Sequence, residues 1–228
     1  MCRDHYPVAV AEISLLRDVP LLTELSDAEM AQVEAATTTT DLLRGDLLFA
    51  EDETPTDLHV VVSGRIAISK RSVDGRESMV ALMERGDLFG EMGLFDGLGR
   101  SAEARALEVS QVLTIPYGPL QAIYEGRPAL LWSVVKLLAG RLRNTDTALA
   151  DSVFLDVTGR TAKRLLELAG DDDEFILPIT QEELAGMVGA SRERVNKAIA
   201  SFVRLGWIDQ RERRYRILNR VELDRRAR

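Results

Sequence analysis

The sequence predicts an α+β protein in three parts: an antiparallel β domain, one long helix, and a small C-terminal domain built on a helix-turn-helix. Three observations carry that expectation. Between about Thr37 and Ile115, apolar residues alternate or run in short β-branched stretches broken by glycine turns. From about Pro128 to Ser152 the period becomes helical and no proline interrupts it. After Thr180 a capping box, a glycine turn and a second capped amphipathic segment follow in close succession. The expected division is residues 1–127, 128–155 and 156–228.

In chain order, "SDAEMAQVEAA" reads as a helix with Ser26 as its N-cap. "DLHVVVSGRIAIS" is strand, turn and strand about Ser63-Gly64, and "SKRSVDGRESMVALM" repeats the theme with Asp74-Gly75 as a hairpin signal. "LEVSQVLTIP" is a last strand stopped by Pro116, and "PLQAIYEG" returns to helix. Several short antiparallel strands with glycine turns point to a sandwich or barrel.

Along the long helix Leu131, Val135, Leu138, Leu142, Thr145, Leu149 and Ser152 fall on a heptad seam, suited to pairing with a twin in a parallel dimer. Val134 and Leu137 widen the stripe, so packing on a β domain is also open. Thr145 is the odd member, because a hydroxyl among aliphatic side chains needs a partner. Asp156 is the expected N-cap of a further helix ending near Gly170, which makes Phe154 and Leu155 the hinge between two helices. Asp171 to Glu174 reads as an exposed acidic loop.

The bulk properties exclude several functions. No apolar run approaches the ~20 residues of a membrane span, and "MCRDHYPVAVAEI" lacks a signal-peptide layout, so a cytoplasmic protein without membrane association is expected. One cysteine, Cys2, precludes an internal disulfide framework, and with only His5 and His59 beside it no metal site is expected. No nucleophile–base pair emerges, so the chain is read as a non-enzyme. The net charge of −8 hides an asymmetry: from Arg192 to Arg228 twelve Lys and Arg stand against five Asp and Glu, a basic end fit for nucleic acid.

That basic end carries "ITQEELAGMVGASRERVNKAIASFVRLGW". Thr180 and Glu183 form a capping box, with Gln181 opening the first helix. Leu184, Met187 and Val188 give that helix its apolar face, Gly189-Ala190 makes the turn, and Ser191 caps the second helix. In the second helix Val195, Ala198, Ile199 and Phe202 point inward, leaving Arg192, Glu193, Asn196 and Lys197 for base edges in the major groove. "WIDQRERRYRIL" follows as a two-stranded basic wing.

One stretch is left, "GDLFGEMGLFDGLGRSAEARA" from Gly86 to Ala106, which reads either as tight turns or as a loop wrapped around an anion. Together with "FLDVTGR" and "TQEELAGMVGASRERVNKA", it resembles the CRP/FNR family of bacterial transcription regulators, its cAMP-receptor branch most of all, from about Ile13 to Arg228. The resemblance implies a jelly-roll-like β-roll that binds a cyclic nucleotide, a dimerisation helix and a winged helix-turn-helix. It implies cAMP as allosteric ligand, held by Gly90, Glu91, Met92, Arg100 and Ser101, with Arg141 steadying Glu91 and with Thr145 and Asp146 against the base. Arg100 with the Ser101 backbone and hydroxyl suits a cyclic phosphate, and Glu91 suits a ribose 2′-hydroxyl.

The implied partners are a second copy of the chain, a palindromic double-stranded operator with GTGA-type half-sites and, for an activator, RNA polymerase. Lys197 stands where the family pattern has arginine, Arg194 where threonine is usual, and Asp146 where a neutral Ser or Asn is usual. A single cysteine argues against the iron–sulfur branch. A ligand-independent regulator, or one tuned to another nucleotide, is the second reading. A cyclic-nucleotide-binding regulatory subunit of a partner enzyme is the third, and the helix-turn-helix argues against it.

Overall fold

The computed structural model describes residues 5–7, 13–73 and 77–228, so Cys2 and the Asp74-Gly75 turn lie outside the described residues. The chain forms two compact units, one of residues 1–76 and 80–141 and one of residues 142–228 with Glu77–Met79.

The first unit is a β sandwich. Strands β1 (His5–Pro7), β2 (Thr38–Leu42), β4 (Asp57–Ser63), β7 (Leu88–Phe89) and β9 (Ser110–Pro116) make a five-stranded sheet in the order β1-β2-β9-β4-β7. Strands β3 (Leu47–Phe49), β5 (Ile66–Arg71), β6 (Glu77–Met83) and β8 (Glu103–Ala106) make a second sheet in the order β3-β8-β5-β6. Strand β4 shows why both faces are apolar. Leu58, Val60 and Val62 pack with Met30 and Val33 of helix α1 (Asp27–Ala36) and with Leu120 and Ile123 beyond the last strand. The alternate residue Val61 instead joins Phe49, Ile66, Phe89 and Ala104, in a core drawn from both sheets. Asp57 and His59 have the parity of Val61 and so belong to that inter-sheet face.

Ser26 caps α1 as a full capping box, α2 is the short helix Met92–Asp96, and α3 (Tyr117–Gly126) follows Pro116. The long helix α4 runs Leu131–Phe154, beginning in the first unit and ending in the second. Its start differs from expectation: Pro128–Leu130 form a 3-10 turn, because Arg127 before the proline is held out of the α region. Its end also differs. No breaker follows Ser152, so Phe154 closes the helix and Leu155 with Asp156 forms the link. Val134 is buried in the first unit's core and Leu137 packs against it, whereas Leu131, Val135, Leu138, Leu142 and Leu149 of the seam are exposed.

The second unit contains α5 (Val157–Ala169), α6 (Gln181–Val188), α7 (Arg192–Arg204) and α8 (Arg220–Arg226). Its three-stranded sheet, in the order β10-β12-β11, is β10 (Glu174–Ile176), β12 (Arg214–Ile217) and β11 (Ile208–Arg211). The core includes Ala162, Leu165, Leu184, Val195, Ile199, Phe202, Tyr215 and Leu223. Glu174 does not belong to an acidic loop: it opens β10, paired with Arg216 of β12. Helix α8 went unread in the sequence, although Asn219 caps it by accepting from the Glu222 amide at 3.2 Å.

Candidate functional site

Strand β7 delivers the chain to Gly90 and Glu91, α2 follows, and residues 97–102 return through Gly99, Arg100 and Ser101 into β8. This excursion lines a pocket together with Phe49, Ile68, Phe89, Met92, Ala102 and Arg141. Gly90, Glu91, Met92, Arg100, Ser101 and Arg141, the expected ligand-binding residues, therefore come together. Thr145 and Asp146 are not in that lining and are exposed on α4.

Glu91 is completely buried. Its Oε1 accepts from Arg141 Nη1, and Arg141 Nη2 donates to the Leu88 carbonyl at 2.6 Å. Its Oε2 is buried with no hydrogen-bond partner among the described residues. A buried carboxylate oxygen without a donor is costly, so the geometry has room for one further hydroxyl or N–H. Arg100 has 6% of its side chain exposed. Its Nη1 donates to the carbonyls of Asp57 and Gly90, both at 2.8 Å, and Nη2 donates to Asp57 Oδ1 at 2.7 Å. The Phe49 ring supports the guanidinium at 4.0 Å. Arg100 Nε is also buried without a described acceptor. Ser101 is exposed, its hydroxyl 3.5 Å from Met92 Sδ. Gly90 has φ +81°, and a Cβ there would fall 2.6 Å from Arg100 Nη1, so only glycine lets the arginine lie across the turn.

Sequence reasoning missed the residues behind Arg100. Asp57 takes two of its bonds, one on the main chain and one on the carboxylate, and His59 Nε2 lies 3.0 Å from Asp57 Oδ1. Burial pushes the Asp57 carboxyl up, but the hydrogen bond with His59 and the charge of Arg100 outweigh it and bring it down to about 2. Tyr117 donates to the Gly90 carbonyl, and burial above all pushes its hydroxyl up to about 12. The available signal was the alternation Asp57, His59, Val61, which puts two polar residues on the inter-sheet face of an otherwise apolar strand.

In the second unit, Thr180 and Glu183 form the expected capping box at the start of α6, and Gln181 hydrogen-bonds Tyr215. Gly189, φ +67°, makes the left-handed turn that a β-carbon disfavours. Ser191 accepts from the Arg194 amide at 3.4 Å and starts α7. Val195, Ala198, Ile199 and Phe202 are buried, and Arg192, Glu193 and Lys197 are exposed. Asn196 is half-buried, with an Oδ1 that lacks a partner among the described residues. Lys197 Nζ lies 2.7 Å from Glu193 Oε1 and draws that carboxyl below its ordinary range. Strands β11 and β12 form the basic wing, with Arg211, Arg214 and Arg216 exposed. At the joint, the Asp156 carboxylate caps α5 by accepting from the Gly159 amide at 2.8 Å, and Arg226 of α8 donates to the same carboxylate.

A β sandwich with a buried, half-satisfied carboxylate and arginine in one pocket, followed by a winged helix-turn-helix, defines a ligand-binding and DNA-binding regulator. The comparisons agree with this class. The cyclic nucleotide-binding domain family matches residues 39–127, and the Crp-like helix-turn-helix domain family matches residues 159–226. The chain is 39% identical over 195 residues to the CRP-like cAMP-activated global transcriptional regulator of Mycobacterium tuberculosis, covering 82% of this chain and 87% of that one. It is 33% identical over 175 residues to the cAMP-activated global transcriptional regulator Vfr of Pseudomonas aeruginosa, covering 72% and 81%. The solved structure of Thermus thermophilus catabolite activator protein is 28% identical with a TM-score of 0.51, covering 91% of this chain and 98% of that one. The chain thus belongs to the CRP/FNR family of transcription regulators, which are DNA-binding proteins with a cyclic nucleotide-binding domain and not enzymes. No helix among the described residues is long and apolar enough to cross a membrane.

Proposed function

We propose that the protein is a cAMP-responsive, homodimeric transcription regulator of the cytoplasm, in which the β sandwich binds cAMP and biases the helix-turn-helix toward a palindromic GTGA-type operator. The observation that carries this reading is the pair of buried, unpartnered groups in one pocket, Glu91 Oε2 and Arg100 Nε. Cyclic AMP supplies one ribose hydroxyl donor and one phosphate anion, the complements of those two groups. Arg100 and Ser101 would hold the phosphate, Glu91 the 2′-hydroxyl, Gly90 and Met92 the close wall, and Arg141 would fix Glu91. Thr145 and Asp146 would contact the base.

The exposed heptad seam of α4 supports pairing with a second copy. Two recognition helices about 34 Å apart would then read successive major grooves, through Arg192, Glu193, Asn196 and Lys197, with Thr180, Gln181 and Ser191 near the phosphates. Phe154, Leu155 and Asp156 would transmit the change, within the functional division 1–127, 128–155 and 156–228. The ligand acts only through its preference for the DNA-competent state. No metal is part of this reading, and contact with RNA polymerase is expected if the regulator activates.

A labelled GTGA-type palindrome titrated with the protein, with and without cAMP at one salt concentration, tests the proposal by anisotropy. Tightening by about tenfold or more, some 1.4 kcal/mol of coupling, is expected. One observation favours the second reading, a ligand-independent regulator: the internal partners of Arg100 would hold the pocket's shape by themselves. Tight binding that cAMP leaves unchanged would select it.

A further inference from the structure

We propose that Asp57 determines the specificity of the pocket, orienting Arg100 and cancelling its charge so that the site takes a phosphodiester of one negative charge over a phosphomonoester of two. The inference rests on the reading of this pocket as a cyclic nucleotide site. It starts from the donor inventory of Arg100. A guanidinium has five N–H groups in a rigid plane. Two sit on Nη1, which meets the carbonyls of Asp57 and Gly90, and one Nη2 hydrogen meets Asp57 Oδ1. What remains is the Nε–H and the second Nη2 hydrogen, which lie on one edge as a fork. Nε is buried and lacks a described acceptor, so that edge is the part of Arg100 left for two phosphate oxygens.

The charges make the second half of the argument. Arg100 faces Asp57 and Arg141 faces Glu91, so the four charged groups of the site sum to zero. Tyr117, which also meets Arg100, keeps its proton at neutral pH. His59 stands behind Asp57, with Nδ1 3.2 Å from Thr114 Oγ1 and Nε2 3.0 Å from Asp57. Thr114 Oγ1 and Asp57 Oδ1 thus lie against the two ring nitrogens of His59. Thr40 Oγ1, 3.0 Å from Thr114 Oγ1, continues the chain on β2. A pocket with a fork but no net charge attracts an anion through directed hydrogen bonds. A second ligand charge then meets the Asp57 carboxylate without compensation.

The test compares cAMP with 5′-AMP by calorimetric titration of the full-length wild type and of Asp57→Asn. The substitution keeps an oxygen for Nη2 and removes the charge, and thermal melting confirms that both proteins are folded at the titration temperature. The AMP-to-cAMP ratio of Kd is expected to fall by about tenfold in Asp57→Asn. Loss of orientation alone would weaken both nucleotides together and leave the ratio unmoved, which overturns the proposal. A second measurement needs no variant. The monoester loses its second proton near pH ~6, so in wild type AMP should gain on cAMP as pH falls from 7.5 to 5, and a constant ratio again overturns the proposal. Wild type that binds neither cAMP nor cGMP overturns the cyclic nucleotide reading itself. Wild type that binds cAMP with an unmoved ratio overturns only the role of Asp57.

Discussion

Arg141, on the long helix, donates to one carboxylate oxygen of Glu91 while the other oxygen stays buried without a partner among the described residues. The arginine pairs with the carboxylate, and under the proposed function the second oxygen selects a ligand donor. Glu91→Gln keeps the shape and turns a charged acceptor into an amide. Under the proposed function it should weaken cAMP binding by about ten- to a hundredfold, the range of a lost charge-assisted hydrogen bond. Calorimetry with the variant checks this, and unchanged affinity would remove Glu91 from the site.

Among the described glycines, Gly90 is the one where a methyl group would collide with Arg100. Gly90→Ala combines a left-handed φ of +81° with a Cβ 2.6 Å from Arg100 Nη1. It should destabilise the fold by about 1 kcal/mol or more, seen as a lower urea midpoint at unchanged slope. Moving Arg100 should also weaken cAMP binding in the fraction that folds.

Much of this site was legible in the sequence because its parts are local. Gly90-Glu91 and Arg100-Ser101 lie in one continuous stretch, and caps such as Ser26, Asp156 and Thr180 act within three residues of themselves. The backing of Arg100 was not legible. Asp57 and Tyr117 are 43 and 17 residues away in the chain, brought in by the pairing of β4 with β9 across the Asp57–Pro116 register. The end of α4 was misplaced for a different reason: Val153 and Phe154 are helix-compatible but largely exposed, so no burial pattern marks where the helix stops. Glu174 looked like loop because the partner that makes it a strand, Arg216, lies beyond the recognition helix.

Asp57 predicts an acid limb in the stability curve. Its carboxyl is held at about 2, below its ordinary 3.8, so the folded state favours the charged form. The contribution is therefore complete above the ordinary value and is lost as pH falls from there through the lowered one. Asp57→Asn should cost about 2 kcal/mol at pH 7, and the gap to wild type should close between pH 3.8 and about 2. Denaturant titrations of both proteins across that window check it, and a gap independent of pH would assign the loss to packing.

Asp156 joins α5 to α8, the helix that the sequence did not reveal. Its carboxylate caps α5 through the Gly159 amide and takes the Arg226 guanidinium from α8. Asp156→Ala should lower the stability of the second unit by about 1 kcal/mol, the usual worth of an N-cap. Arg226→Ala leaves the cap in place and should cost less, as an ion pair at a partly exposed carboxylate does. Thermal melts of the two variants should rank in that order.

The ion pair on the recognition helix makes the last prediction. Glu193 and Lys197 are one turn apart, 2.7 Å between charged atoms, and both side chains are about three-quarters exposed. Such a pair adds little to stability, so either side chain is free to exchange its partner for DNA. Under the proposed function Glu193 accepts from a cytosine amino group and Lys197 donates to guanine or phosphate. Glu193→Ala should then relax preference at one base pair by about 1–3 kcal/mol while affinity for other sequences changes little. If Lys197 meets phosphate, Lys197→Ala should weaken every sequence alike and reduce the salt slope by about one. If it meets guanine, the loss should be concentrated at that base pair. Anisotropy titrations with single-substituted operators at several salt concentrations separate these patterns. An unaltered sequence profile in Glu193→Ala would remove that residue from base reading.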